Sequence, residues 1–200
     1  RLFQVDDSIL YNNTIDSNYY SGIVLTESSD NKIVHNNVES NGKYGIQILN
    51  EDIIKSANNT IKDNTVNRNK NISILNHGIF TIIKNNTIEY NENDGIKIGA
   101  EGARSIIDDN NLNDNEGHSI SILANNVVIK SNTIDGYPSS IAIVIIDSNS
   151  VSVENNTVDG GLQGIKVQNS SNAFIYKNNI TYNSGYGIYI LINSDSANVK

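Results

Sequence analysis

Short apolar segments of two to four residues alternate with polar corners along the whole chain, and the alternation repeats at a nearly constant interval. Aligned on the aliphatic residue that follows each Asn-rich corner, the repeat runs through Ile15, Val38, Val66, Ile88, Leu112, Ile134, Val158 and Ile180, in steps of 23, 28, 22, 24, 22, 24 and 22 residues. Five residues before each anchor stands another aliphatic: Leu10, Ile33, Ile61, Ile83, Ile107, Ile129, Val153 and Ile175. Six to eight residues after it begins an apolar pair with one residue between, such as Ile23 and Leu25, Ile46 and Ile48, Ile96 and Ile98, or Ile188 and Ile190. Gly precedes the pair at Gly22, Gly45, Gly95, Gly164 and Gly187. No stretch keeps a helical apolar period long enough for a helix, so each unit predicts three short strands and three turns.

Stacking such units at about 4.8 Å per rung pairs each strand with its equivalent in the next rung and closes three parallel sheets around an apolar interior. The prediction is an all-β, single-stranded parallel β-helix (a solenoid) of about eight rungs, one domain over residues 1–200. The residue two before each anchor is Asn in every unit: Asn13, Asn36, Asn64, Asn86, Asn110, Asn132, Asn156 and Asn178. We expect it to take the left-handed conformation that a tight corner needs, and to join its amide to those above and below in an Asn ladder. A weaker column three after the anchor reads Asn18, Asn41, Asn69, Asn91, Asn115 and Asn183, with Tyr137 and Gly161 in the gaps. At the start Leu10 already stands in a second-strand position with no clear first strand before it, and the chain stops in a second strand at Val199. No capping helix is visible, so the register is the one expected of a segment of a longer chain, or of copies that cover one another's ends by end-to-end self-association.

The units of the form NNTI...N...GI.I resemble the right-handed parallel β-helix repeat shared by pectate lyases, polygalacturonases, mannuronan epimerases, a periplasmic copper-maturation protein and many surface proteins of bacteria and methanogenic archaea. The resemblance covers nearly the whole chain and implies the right-handed coil with its Asn ladder. It implies no single activity, because function has to be argued from a site. In the enzymes of that superfamily the groove runs along the outer face of the first strand. The equivalent column here reads Val24, Gln47, Ser73, Lys97, Ser121, Ala142, Lys166 and Tyr189.

That column lacks the clustered carboxylates of a glycoside hydrolase and the acidic calcium ligands of a lyase. Lys97 and Lys166 share the face three rungs apart, about 14 Å, too far to act on one bond. The Asp-Pro-His-Asp type of signature seen in mannuronan epimerases is missing, since the only Pro is Pro138. No catalytic residue, cofactor or metal ligand is therefore assigned. Gln47, Lys97, Lys166, Tyr186 and Tyr189 are the candidates for ligand binding, the two Tyr for stacking on sugar rings. Tyr19, Tyr20 and Tyr44 also lie on or just before the first strand. His35, His77 and His118 fall in three different columns and read as solvated loop residues.

One place after the anchor runs a partial acidic column, Asp16, Glu39, Glu89, Asp135 and Asp159, interrupted by Asn67, Asn113 and Thr181. A solvated face is the expectation, with weak calcium binding as the alternative; the neighbouring Thr and Asn column is read as strand-forming rather than ice-binding. Asn-x-Ser/Thr sequons stand at Asn12, Asn58, Asn71, Asn85, Asn155, Asn169 and Asn179, several of them by-products of the Asn-Asn-Thr corners. The longest insertion, LNEDIIKSANNT, follows the first strand of the second rung and carries Ile53 and Ile54, apolar in a loop.

A net charge of -8, with only 14 Lys and Arg, argues against a nucleic-acid partner. No apolar run approaches the roughly 20 residues that span a bilayer, and Cys is absent, so membrane insertion, disulfides and thiolate chemistry are not expected. These features together suggest a non-catalytic extracellular or cell-surface module, such as a stalk, adhesin or envelope component that binds polysaccharide or other cell-envelope material. The alternatives are a fragment of a polysaccharide lyase, epimerase or glycoside hydrolase acting on acidic glycans, and a structural protein that assembles end to end.

Overall fold

The computed structural model describes residues 1–51, 55–191 and 193–200, so Ile53 and Ile54 lie outside the described residues. The chain visits three parallel sheets in turn. Sheet A holds Leu2–Phe3, Ile23–Thr26, Ile46–Leu49, Ile74–Asn76, Ile96–Ile98, Ile120–Ile122, Ile141–Ile146, Gln163–Gln168 and Ile188–Ile190. Sheet B runs from Ile9–Tyr11 to Asn198–Val199 and sheet C from Thr14–Asp16 to Asn179–Thr181, with every pairing parallel and between successive rungs. The expected coil of about eight rungs is therefore present. One expectation about its start fails: Leu2–Phe3 is a first strand, paired with Leu25 and Thr26. Two residues with no visible partner pattern were too short to announce themselves in the repeat.

Each rung sends one side chain inward from sheet B, one from sheet C and two from sheet A, and these columns are the core. Ile33, Ile61, Ile83 and Ile107 from B, Val38, Val66, Ile88 and Leu112 from C, and Ile46, Ile48, Ile96 and Ile98 from A are all fully buried. The chain reaches sheet A through a column of small residues, because neighbouring rungs crowd that corner. A Cβ on Gly45 would stand 2.4 Å from Val66 Cγ1 and 2.7 Å from the Ser73 carbonyl.

The small-residue column exposes two errors of phase. Ile74 pairs with both Ile46 and Ile96, which places Ser73 beside Gly45 and Gly95, and Leu75 rather than Ser73 in the outward column. Likewise Ile143 pairs with Ile120, so Val144 faces outward and Ala142 belongs to the small column. Both segments lack the alternation that would set their phase. IAIVII is apolar throughout, and in the third rung the inward position of Ile48 and Ile98 is taken by Asn76. That Asn is fully buried and satisfied: its amide donates to the Gly78 carbonyl (2.9 Å) and Ser105 Oγ (3.1 Å), and its oxygen accepts from Gly78 N (3.0 Å) and Thr81 Oγ1 (3.0 Å).

The ladder is continuous. Amide-to-amide bonds of 2.9–3.1 Å link Asn13, Asn36, Asn64, Asn86, Asn110, Asn132, Asn156 and Asn178 without a gap. The left-handed residue, however, is not the ladder Asn but the one before it: Asn12, His35, Asp63, Asn85, Asp109, Ser131, Asn155 and Lys177, at φ between 54° and 57°. The division is physical. The left-handed residue points out and needs only to tolerate its backbone, whereas the following Asn is turned inward, where its amide meets buried backbone groups. Asn86 shows the pattern: its oxygen accepts from Asn64 N (2.9 Å) and Nδ2 (3.0 Å), and its own Nδ2 reaches Asn110 Oδ1, Ile61 O and Lys84 O at 2.9–3.0 Å.

The two neighbouring asparagines should then respond unequally to substitution. Asn86→Ala orphans buried donors and acceptors in three rungs and is expected to cost about 2–5 kcal/mol. Asn85→Gly, which relieves a left-handed side chain, should change stability by less than about 1 kcal/mol. Urea unfolding of the two variants measures the difference, and equal losses would refute the division of roles.

Candidate functional site

The corrected register makes the outward column of sheet A Val24, Gln47, Leu75, Lys97, Ser121, Val144, Lys166 and Tyr189. Three of the predicted residues come together. Lys166 is the register partner of Tyr189, and the Tyr189 ring stacks on Tyr186 with centroids 4.8 Å apart and planes 24° apart. Tyr186 is 60% exposed, so this stack has a face open to solvent. Gln47 and Lys97 lie elsewhere on the same face. Gln47 pairs with Val24 and Leu75, accepts a bond from Ser21 Oγ (2.9 Å), and lines a groove of about 520 Å³ with Arg1, Tyr20, Lys43 and Tyr44. Lys43 Nζ stands 5.3 Å from the centre of the Tyr20 ring. Lys97, between Leu75 and Ser121, is two rungs from Gln47 and three from Lys166. The face is thus a strip with an aromatic and cationic patch at each end; between the patches, Lys97 and Ser121 are flanked by Leu75 and Val144, whose outward side chains are buried.

The reading of His77 as a solvated loop residue needs correction. The imidazole lies over Gly99, where an added Cβ would come within 2.5–2.8 Å of three ring atoms. Its side chain is 33% exposed, and Nδ1 is 3.9 Å from Glu101 Oε2. Burial pushes the His77 pKa down, with Lys97 adding to the shift and Glu101 opposing it. Asn50 ties the group together, its amide donating to the His77 carbonyl (2.9 Å) and to Glu101 Oε2 (3.1 Å). The sequence signal was available in Gly99: a Gly two residues beyond the outward Lys makes room for a ring from the rung before. His35 and His118 remain in other columns; His35 faces Asp63 at 3.7 Å, and His118 Nδ1 accepts from Ile141 N at 3.3 Å.

On sheet C the acidic column has the predicted interruptions. Asp16 neighbours Glu39 and Asp135 neighbours Asp159, while Asn113 separates Glu89 from Asp135. Burial, with Asp114 and Asp159 nearby, raises the Asp135 pKa. Among the described residues no group of three or more His, Asp or Glu is arranged to hold a metal ion.

The family described as "Right handed beta helix region" matches residues 1–82 and 71–200, and the chain belongs to it. This chain builds the right-handed coil of that family from three parallel sheets and a stacked Asn column. Solved structures with the same fold include the A-module of the mannuronan C-5 epimerase AlgE6 of Azotobacter vinelandii (TM-score 0.77, 14% identity, 96% of this chain and 56% of that one). The Streptococcus pneumoniae surface adhesin PfbA matches equally well (TM-score 0.77, 14% identity, 99% and 61%), and an alginate lyase from Paenibacillus follows (0.67, 10%, 93% and 77%). The chain spans little more than half the length of the first of these. No curated protein sequence matches it.

The depressed His77 pKa has a definite pH consequence. The folded state favours neutral His77, so its contribution is present above the unfolded value of about 6.5 and is lost as pH falls through the lower folded value. Acidification from about pH 8 to pH 5 should lower the melting temperature more in the parent than in His77→Asn. Parallel melting curves for the two proteins would remove His77 from that role.

Proposed function

We propose that this chain is a non-catalytic extracellular or cell-surface β-helix module that binds polysaccharide along the outward face of sheet A. The observation that carries the reading is the Tyr186–Tyr189 stack set one rung from Lys166. An open tyrosine face suits the apolar side of a sugar ring, and the lysine beside it suits an acidic substituent. The Gln47 groove, with Tyr20 and Lys43, repeats the combination near the other end of the strip. A chain lying along the rungs would meet both patches, which raises effective concentration without a deep pocket. Fold similarity to a surface adhesin and to polysaccharide-acting enzymes supports the extracellular setting.

A second reading, a fragment of a lyase or epimerase acting on acidic glycans, is favoured by the His77, Lys97 and Glu101 group. A half-buried imidazole held neutral is a competent base near neutral pH, and a lysine beside it would hold a uronate carboxylate. No carboxylate shares the outward column of sheet A, so acid and base hydrolysis by a carboxylate pair has no support there.

The test is a panel of acidic and neutral polysaccharides incubated with the protein, with and without calcium, and read for retention and for chain cleavage. Retention without cleavage is expected, weakened about tenfold by Tyr189→Ala or Lys166→Ala, a loss of about 1.4 kcal/mol. Cleavage or epimerisation abolished by His77→Ala would establish the second reading in place of the first.

A further inference from the structure

The corner where the chain passes from sheet C to sheet A carries another groove, away from the face just described. Its left-handed positions in the first five rungs are Ser17, Ser40, Arg68, Tyr90 and Asp114. Arg68 and Tyr90 carry bulky side chains outward from these positions, as Tyr182 does at the same corner of the eighth rung. The Arg68 guanidinium carbon lies 5.8 Å from the centre of the Tyr90 ring and reaches Glu39 at 3.5 Å. Lys70 pairs with Glu92. Both cations of the groove thus have carboxylate partners, while among the described residues Asp114 and Glu116 pair with no cation.

The second Asn column ends beside this groove. Its amides stack from Asn18 through Asn41, Asn69 and Asn91 to Asn115, and the sixth rung then puts Tyr137 where the next Asn would stand. A phenol cannot pass on the amide bond, and the half-buried Tyr137 becomes one wall of a cleft of about 230 Å³ with Tyr90, Asp114 and Glu116. A larger groove of about 590 Å³ on the Arg68 side shares Tyr90 and Glu116 with it. Together they fall within the range of about 300–1,000 Å³ usual for small-molecule sites. None of these residues lines the Gln47 groove.

We propose that this corner is a second carbohydrate site, for a neutral glycan chain. Tyr90, 48% exposed, offers the ring face that Arg68 does not cover, Tyr137 lines the cleft beside it, and Asp114 and Glu116 accept hydrogen bonds from sugar hydroxyls. The same unpaired carboxylates repel uronates, so the corner and the lysine-bearing face of sheet A select glycans of different charge.

Labelled neutral oligomers (glucan, mannan, galactan and xylan), a chitosan oligomer and an oligogalacturonate would be titrated against the parent, Tyr90→Asn, Tyr90→Phe and Tyr189→Ala. Asn retains the left-handed backbone, and a melting curve for each variant confirms folding. At least one neutral oligomer should bind, about tenfold more weakly to Tyr90→Asn, within about twofold to Tyr90→Phe, and unchanged to Tyr189→Ala. Loss through Tyr189→Ala alone would move the neutral glycan to sheet A and overturn the proposal. Binding of no neutral oligomer, or of the cationic oligomer alone, would also overturn it. The oligogalacturonate arm reads the sheet A face separately, so either site can fail without the other.

Discussion

The structure depends on one hydrogen-bonding arrangement, the amide column at the corner between sheets B and C. Backbone turning sharply beside a core cannot be wetted, and each of its donors and acceptors needs a partner. The Asn side chain supplies both kinds at once: Asn86 accepts from the rung before it, and donates to the rung after it and back to the carbonyl of Ile61. One side chain thereby ties three rungs, and the corner geometry is the same in all eight. With that corner invariant, the rest of the rung is free to change length. The 28-residue step is absorbed after sheet A, while the hydrogen bond spanning it, from Asn36 Nδ2 to Asn64 Oδ1, stays at 3.1 Å.

Much of this was legible because the repeat is an averaging device. Eight copies of Asn at one position and eight aliphatics at two others outweigh the weak preferences of any three-residue strand. The same averaging fails where one copy departs from the rest. The alternation that fixes phase is absent in Ile141–Ile146 and broken by Asn76, and in both places a slip of two residues keeps inward and outward parity while naming the wrong outward residue. The column of Gly, Ser and Ala before each sheet A strand would have corrected both, had small size rather than Gly alone been the criterion.

The candidate site was less legible for a different reason. A repeat predicts what shares a column, so Lys166 and Tyr189 could be placed one rung apart from sequence. It says little about side chains that cross between columns. His77 reaches over Gly99 toward Glu101, and Tyr90 meets Arg68 through the directions their left-handed backbones impose. Assigning that conformation to the ladder Asn, instead of its predecessor, also hid the fact that the outward corner residue is the variable one.

That variability has a consequence of its own. The residues at the B–C corner are Asn, His, Asp, Asn, Asp, Ser, Asn and Lys, one per rung, all at nearly the same φ and each followed by an unchanging amide. Holding and displaying are thus assigned to adjacent residues, and a substitution at the second task leaves the first intact. Over seven steps of about 4.8 Å the corner amounts to a ruler of roughly 34 Å with an independently writable mark at every rung. A coil built this way can exchange its surface chemistry one mark at a time while its spine stays the same.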